Sequence, residues 1–140
     1  MILLMSAVLA ALLQASSGWT WTLYEGEGPI VLANEIPDTP QLRATLQCDP
    51  GSSAVEVSVP FPDAQPGFAR LNAGDAAATT EARVEREGRV AVALRTDHPL
   101  FAAFTATGDM TLAVGEATTK VIVPSQYLPT LRRFSDLCSG

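Results

Sequence analysis

Two cysteines, Cys48 and Cys138, lie near opposite ends of the chain and constrain it more than any other feature. Joined, they would close a loop of about ninety residues, which in a chain-entropy account stabilises the fold by at most about 4–5 kcal/mol. Whether they join depends on the compartment, because disulfides persist in oxidising spaces and are rare where thiols are kept reduced. The amino-terminal residues bear on that question. Met1 to Leu13 is apolar apart from Ser6 and carries no charged side chain, and Gln14, Ala15, Ser16, Ser17 and Gly18 follow. A membrane-spanning helix needs about 20 apolar residues, whereas the apolar region of an export signal needs about 7–15 before a small-residue cleavage site. Residues 1–18 are therefore expected to be a signal peptide, cleaved after Ser17 or Gly18 in preference to Ala15. The usual basic residue near the start is missing, since Ile2 follows Met1 directly. The competing reading is a short buried helix of a cytosolic protein. No cysteine stands beside the cleavage region, which argues against a lipid anchor. In an exported chain Cys48 and Cys138 are expected to pair, with two buried inert thiols as the alternative.

The remainder, 19–140, has the size of one domain and can bury about two thirds of its unfolded surface without help from a metal. Its net charge of −6 argues against nucleic acid, which selects a basic face, and against anionic membrane surfaces. Mild acidity is otherwise read as solubility. The basic residues are eight Arg and one Lys, a ratio read as coding bias.

Period-two patterning dominates the domain. Trp19, Trp21 and Leu23 alternate with Thr20 and Thr22, as in a half-buried strand. Glu25 to Pro29 turns the chain into a second strand, Ile30 to Asn34. Leu42, Ala44, Leu46 and Cys48 alternate with Arg43, Thr45 and Gln47, which places Cys48 on the apolar face. Asp49-Pro50-Gly51-Ser52 then turns into Val55, Val57 and Val59, so 42–59 reads as a hairpin. A proline-bearing loop over 60–67 precedes strands at 68–71 and 76–84, and Val90, Val92 and Leu94 mark another. The period then changes. Asp97 is positioned to cap a helix entered through Pro99, with Leu100, Phe101 and Phe104 at helical spacing and Gly108 as its stop. Strands at 110–114 and 118–123 flank Gly115-Glu116. Ser125 is positioned to cap a last helix, with Pro129 near its first turn. Tyr127, Leu128, Leu131, Phe134, Leu137 and Cys138 form its apolar face, and its last turn would bring Cys138 to Cys48. The expected fold is α+β: mostly antiparallel β, sandwich-like, of about seven to nine strands. It carries a short helix near 99–107 and a C-terminal helix near 126–138.

A faint repeat links Val55–Asp75 with Val90–Asp109 through V-x-V-x-(V/L), a Pro, an F-A pair and a closing Gly-Asp. Chance and duplication compete to explain it. Duplication would give two β–crossover–β units.

Chemistry is sparse. His98 is the only histidine; its neighbours Asp97 and Pro99 suggest a helix start with the imidazole solvated or capping, and no G-x-S-x-G elbow accompanies it. One His and two cysteines expected to be bonded make no zinc set, and no calcium loop or phosphate loop is present, so no metal and no cofactor are expected. Trp19 and Trp21 could form an exposed binding platform, although their shared parity with Leu23 favours packing; with His98 they are the candidate binding surface. The strip Tyr24-Glu25-Gly26-Glu27 could meet a basic partner or form a solvated turn.

Leu100-Phe101-Ala102-Ala103-Phe104, Gly108, Met110-Thr111-Leu112, Val121-Ile122-Val123-Pro124, then Leu128 to Phe134 and Cys138 run in the order helix, strand, strand, helix, Cys. This order over 90–138 resembles small periplasmic proteins of proteobacteria, among them the invasion-associated locus B family and accessory proteins of type VI secretion. The arrangement of Trp19, Ile36-Pro37-Asp38-Thr39 and Leu46-Gln47-Cys48 also looks like exported proteins of that kind. The resemblance implies a periplasmic β-rich module and no catalytic residue.

The expectation is a periplasmic or secreted non-enzymatic binding or accessory module. Its partner would be another envelope protein or a small ligand, with no nucleic acid and no stable membrane insertion after signal removal. An enzyme-inhibitor-type protein inserting loop 60–67 or 115–118 into a cleft is the alternative, and a small hydrolase using His98 is the third. A hydrolase requires His98 in a concave pocket beside a Ser or carboxylate. An inhibitor requires a protruding rigid loop. A binding module requires an exposed apolar patch above a few hundred Å².

Overall fold

The structure is a computed structural model that describes residues 18–86 and 88–140. The expected signal over 1–18 lies outside the described residues except for Gly18. The strands are β1 (Thr20–Tyr24), β2 (Ile30–Glu35), β3 (Leu42–Cys48), β4 (Ala54–Pro60), β5 (Gly67–Ala73), β6 (Ala76–Glu85), β7 (Arg89–Arg95), β8 (Asp109–Val114) and β9 (Ala117–Ile122). Helix α1 (Pro99–Thr107) lies between β7 and β8, and α2 (Leu128–Cys138) ends the chain after a 3-10 turn at Ser125–Tyr127. The α+β class, the strand number and both helices agree with the sequence reading.

All nine strands join one sheet in the order β1-β2-β3-β4-β7-β6-β5-β8-β9, and every pairing is antiparallel. The sandwich-like enclosure is produced by this single sheet curling. The curl centres on β6 and β7, where only Ala82–Glu85 pairs with Arg89–Val92 although β6 is bonded to β5 over Ala76–Ala82. Freed beyond Ala82, the first half of β6 follows β5 and α1 instead.

Alternation decides what the curl encloses. Leu32, Leu46, Val57, Leu71, Val92 and Leu112 come from six different strands and are fully buried in one core. The helices fill the hollow between them: α1 packs on β5 and β6, α2 on β1 and β2, and the helices touch each other. Leu100, Phe101 and Phe104 of α1, and Leu131 and Phe134 of α2, are fully buried. Each such side chain contributes about 1.5–3 kcal/mol of burial. Phe101 and Phe104 meet edge to face, with ring centroids 6.2 Å apart, an arrangement aromatic quadrupoles favour.

The helix ends correct two expectations. His98, not Asp97, caps α1: its Nδ1 accepts the Leu100 N–H at 3.0 Å. Pro99 is the first helical residue, so the cap must be the residue before it, and the Asp97 carboxylate instead takes two hydrogen bonds from Arg95, each 3.0 Å. Ser125 makes no cap with its side chain; it opens the 3-10 turn, and α2 begins at Leu128 with Pro129 in its first turn. Gly108 stops α1 as expected. It is left-handed (φ 79°) and its N–H donates to Phe104 O at 2.7 Å. A Cβ there would lie 2.1 Å from Val123 O, so only glycine fits between α1 and the end of β9.

The faint repeat is not a structural one. Phe68-Ala69 lies on strand β5, whereas Phe101-Ala102 lies in helix α1. Similar letters sit in different local structures, which leaves no duplicated β–crossover–β unit.

At the end of β3, Cys48 and Cys138 are bonded, with Cα atoms 5.8 Å apart. The β3–β4 turn closes over the same spot. Gly51 N–H donates to Leu137 O (3.0 Å) and Ser53 N–H to Cys138 O (2.7 Å), which satisfies carbonyls that a helix leaves without partners at its C-terminus. On the neighbouring β1–β2 turn, Glu25 accepts two bonds from Arg133 of α2 at 2.9 and 2.7 Å. That partner holds the Glu25 carboxyl below its ordinary pKa. The acidic strip thus meets a basic residue of its own chain.

Candidate functional site

The three side chains singled out as a binding surface do not converge. Trp19 and Trp21 stand at the edge of the sheet, and His98 stands at the start of α1, its Nδ1 already used in capping.

The tryptophans sit where the curled sheet nearly closes on itself. β1 and β9 are its two edges, and the Trp21 indole N–H donates to Ile122 O at 3.2 Å, joining edge to edge. Trp21 is 5% exposed, so parity with Leu23 predicted its burial correctly. Trp19 precedes β1 and is only half-buried, and the Arg43 guanidinium of β3 lies 3.9 Å from its ring centroid. Stacking of this kind is worth about 0.5–1 kcal/mol at an exposed position.

Beside this seam is a cleft of about 250 Å³ lined by Trp21, Asn34, Arg43, Val59, Lys120 and Ile122 among others. It exists because β3 and β4 part company early. Their ladder ends at Thr45 and Ser58, and Pro60 has no N–H with which to extend it. The Arg89 Nη2 bridges the split, donating to Arg43 O and Ser58 O at 3.0 Å each, while its Nε donates to Ser58 Oγ at 3.1 Å. A guanidinium thus replaces the missing ladder hydrogen bonds, and the space beside it stays open. The lining contains two cations and no carboxylate. Arg43 and Lys120 form no ion pair among the described residues.

A second cleft, of about 570 Å³, is lined by Phe61, Ala64, Pro66, Phe68, Val114 and Glu116 among others. Loop 61–66 forms one wall and the β8–β9 turn at 115–116 the other. Phe61 anchors the first wall: its ring is buried and its N–H donates to Gly88 O at 2.7 Å. Phe68 between them is 76% exposed, the most exposed large apolar side chain among the described residues. The sequence named both loops separately as insertable elements, and the fold sets them side by side around one concavity.

Phe68 was not singled out from the sequence, although the signal was available. Ala69, Leu71 and Ala73 face the core, so alternation turns Phe68 outward with Arg70 and Asn72. Arg43 and Lys120 were not singled out from the sequence either, the basic residues having been read only as coding bias. No local pattern relates two residues on strands so far apart in sequence.

His98 lines neither cleft. Among the described residues no group of three or more His, Cys, Asp or Glu is placed to hold a metal ion, and no helix is long and apolar enough to cross a membrane. No protein-family model matches the chain, and no curated protein or solved structure matches it.

Proposed function

We propose that the chain is an exported, non-enzymatic binding module whose partner is another protein of the cell envelope, met through the Phe68 cleft. The carrying observation is the 76% exposure of Phe68 between loop 61–66 and the β8–β9 turn. An aromatic ring left in water costs hydration free energy that a partner recovers by covering it, and aromatic side chains dominate protein interfaces for that reason. The bonded Cys48–Cys138 pair supports an oxidising compartment, periplasmic or secreted. The envelope accessory role implied by the resemblance over 90–138 belongs to the same proposal. A cleft receives a partner whereas an inhibitor's wedge enters one, so the shared concavity of the loops favours the binding reading over the inhibitor reading. The hydrolase reading is disfavoured because the Nδ1 lone pair of His98 is engaged by Leu100.

The test is a paired capture experiment from envelope extract with the unreduced full chain and its Phe68→Ser variant. The side chain is exposed, so the substitution changes stability by no more than about 0.5 kcal/mol. A co-purifying protein retained by the parent chain and lost with the variant is the expected result. Equal recovery with both chains would overturn the assignment of this surface.

A further inference from the structure

The seam cleft carries a separate inference, independent of the Phe68 surface. We propose that it is a binding site for a small organic carboxylate with a compact apolar body. Charge is the first reason. The chain is acidic overall at −6, yet this cleft gathers Arg43 and the single Lys120 and has no Asp or Glu in its lining. A cationic ligand finds no counter-charge there, whereas an anion finds two.

The state of Arg43 is the second reason. Stacking on Trp19 occupies one face of the guanidinium and restrains its plane. Its N–H edge is left unspent, since no hydrogen bond or ion pair engages that side chain among the described residues. A guanidinium presents its N–H groups as a fork that matches a carboxylate, and a fork already oriented loses less entropy on binding. Lys120 adds a mobile point charge from the facing edge of the seam.

The walls are the third reason. Trp21, Val59, Val121 and Ile122 line the cleft with apolar surface, and Asn34 and Thr119 supply polar groups. Inorganic phosphate would satisfy the cations and leave those walls wet. The volume of about 250 Å³ lies below the range of about 300–1,000 Å³ typical of drug-sized ligand sites, which limits the apolar body to a single small ring or short branched chain.

The chain supplies its own reporter. Its two tryptophans are both at this seam, so intrinsic fluorescence reads the site directly. The unreduced full chain is titrated with phenylacetate, with neutral phenylacetamide and with inorganic phosphate, and phenylacetate is repeated on Arg43→Gln and Lys120→Gln. Expected is a saturable change with phenylacetate that weakens as salt is raised. Phenylacetamide and phosphate should bind about tenfold more weakly, and each variant about five- to tenfold more weakly, in line with loss of one charge-assisted hydrogen bond at a partly solvated position. Both side chains are exposed, and an unchanged melting temperature shows that each variant is folded. No saturable response to phenylacetate would overturn the proposal, as would equal affinity for the amide or phosphate, or unchanged affinity in both folded variants.

Discussion

The two ends of β3 are held in opposite ways. Cys48 and Arg43 are five residues apart on one strand, about 17 Å at the usual rise. At the Cys48 end the sheet and α2 are joined by a covalent bond, by two backbone hydrogen bonds from the β3–β4 turn and by the Glu25–Arg133 pair. At the Arg43 end the β3–β4 ladder has stopped, the Arg89 guanidinium bridges the split to Arg43 O and Ser58, and the Trp21 indole N–H reaches across the seam. The difference teaches where each task can be placed. A redundantly bonded end can lose any single contact and keep its shape. An end whose ladder has parted, and which side chains bridge instead, leaves room and the unspent Arg43 donors for a ligand.

The sharpest way to break the comparison is to remove the bond at the closed end. Cys48→Ala with Cys138→Ala should cost about 2–5 kcal/mol in urea-induced unfolding. Hydrogen exchange should then speed up at Gly51 and Ser53, whose N–H groups bond to α2, while the seam is unaltered. A loss below that of the seam variant described next would invert the ranking of the two ends. Second in size is Trp21→Phe, which removes the hydrogen bond to Ile122 O and leaves a gap in the core. About 1–2 kcal/mol is expected, with exchange accelerated along β9 and unaffected at Gly51 and Ser53.

The smallest effect lies in the pH dependence of the closed end. Hydrogen bonding to Arg133 lowers the Glu25 pKa in the folded chain, and the nearby charge acts in the same direction. A carboxyl with a depressed folded pKa stabilises the fold above its unfolded value, and the stabilisation disappears as pH falls through the folded value. Glu25→Gln should therefore lower the melting temperature slightly at neutral pH, and the two proteins should converge as the pH drops below the ordinary carboxylate range. The pair is exposed and will weaken with salt. A difference that persists unchanged into acid would mean that the pair is not the contact responsible.

Local patterns in the chain were legible where a few consecutive residues decide the outcome. Ala44, Leu46 and Cys48 could be assigned to one buried face because strand geometry alternates side chains whatever the rest of the molecule does, although Leu42, assigned with them, is exposed at the start of the strand. Pro99 and Gly108 bounded α1 for equally local reasons. Of the two cap candidates the structure uses His98 and not Asp97, because Pro99 is the first helical residue and the cap must directly precede it. The Phe68 cleft was partly legible: its two loops were named, and alternation along β5 turns Phe68 outward. The seam was not, since Trp21 and Ile122 are far apart in sequence and neither strand carries a mark of its edge partner.

By itself, then, the order of residues determined the strands, the helices, the parity of most buried strand residues and the presence of two cysteines available for pairing. Only the tertiary structure decided that the sheet would curl until its edges met, and so that Arg43 and Lys120 would share one cleft. The physical reason is range. Alternation, capping and proline act over a few bonds. Burial is non-directional and sums over the whole core, so the approach of β1 to β9 is set by nine strands and two helices filling one hollow together.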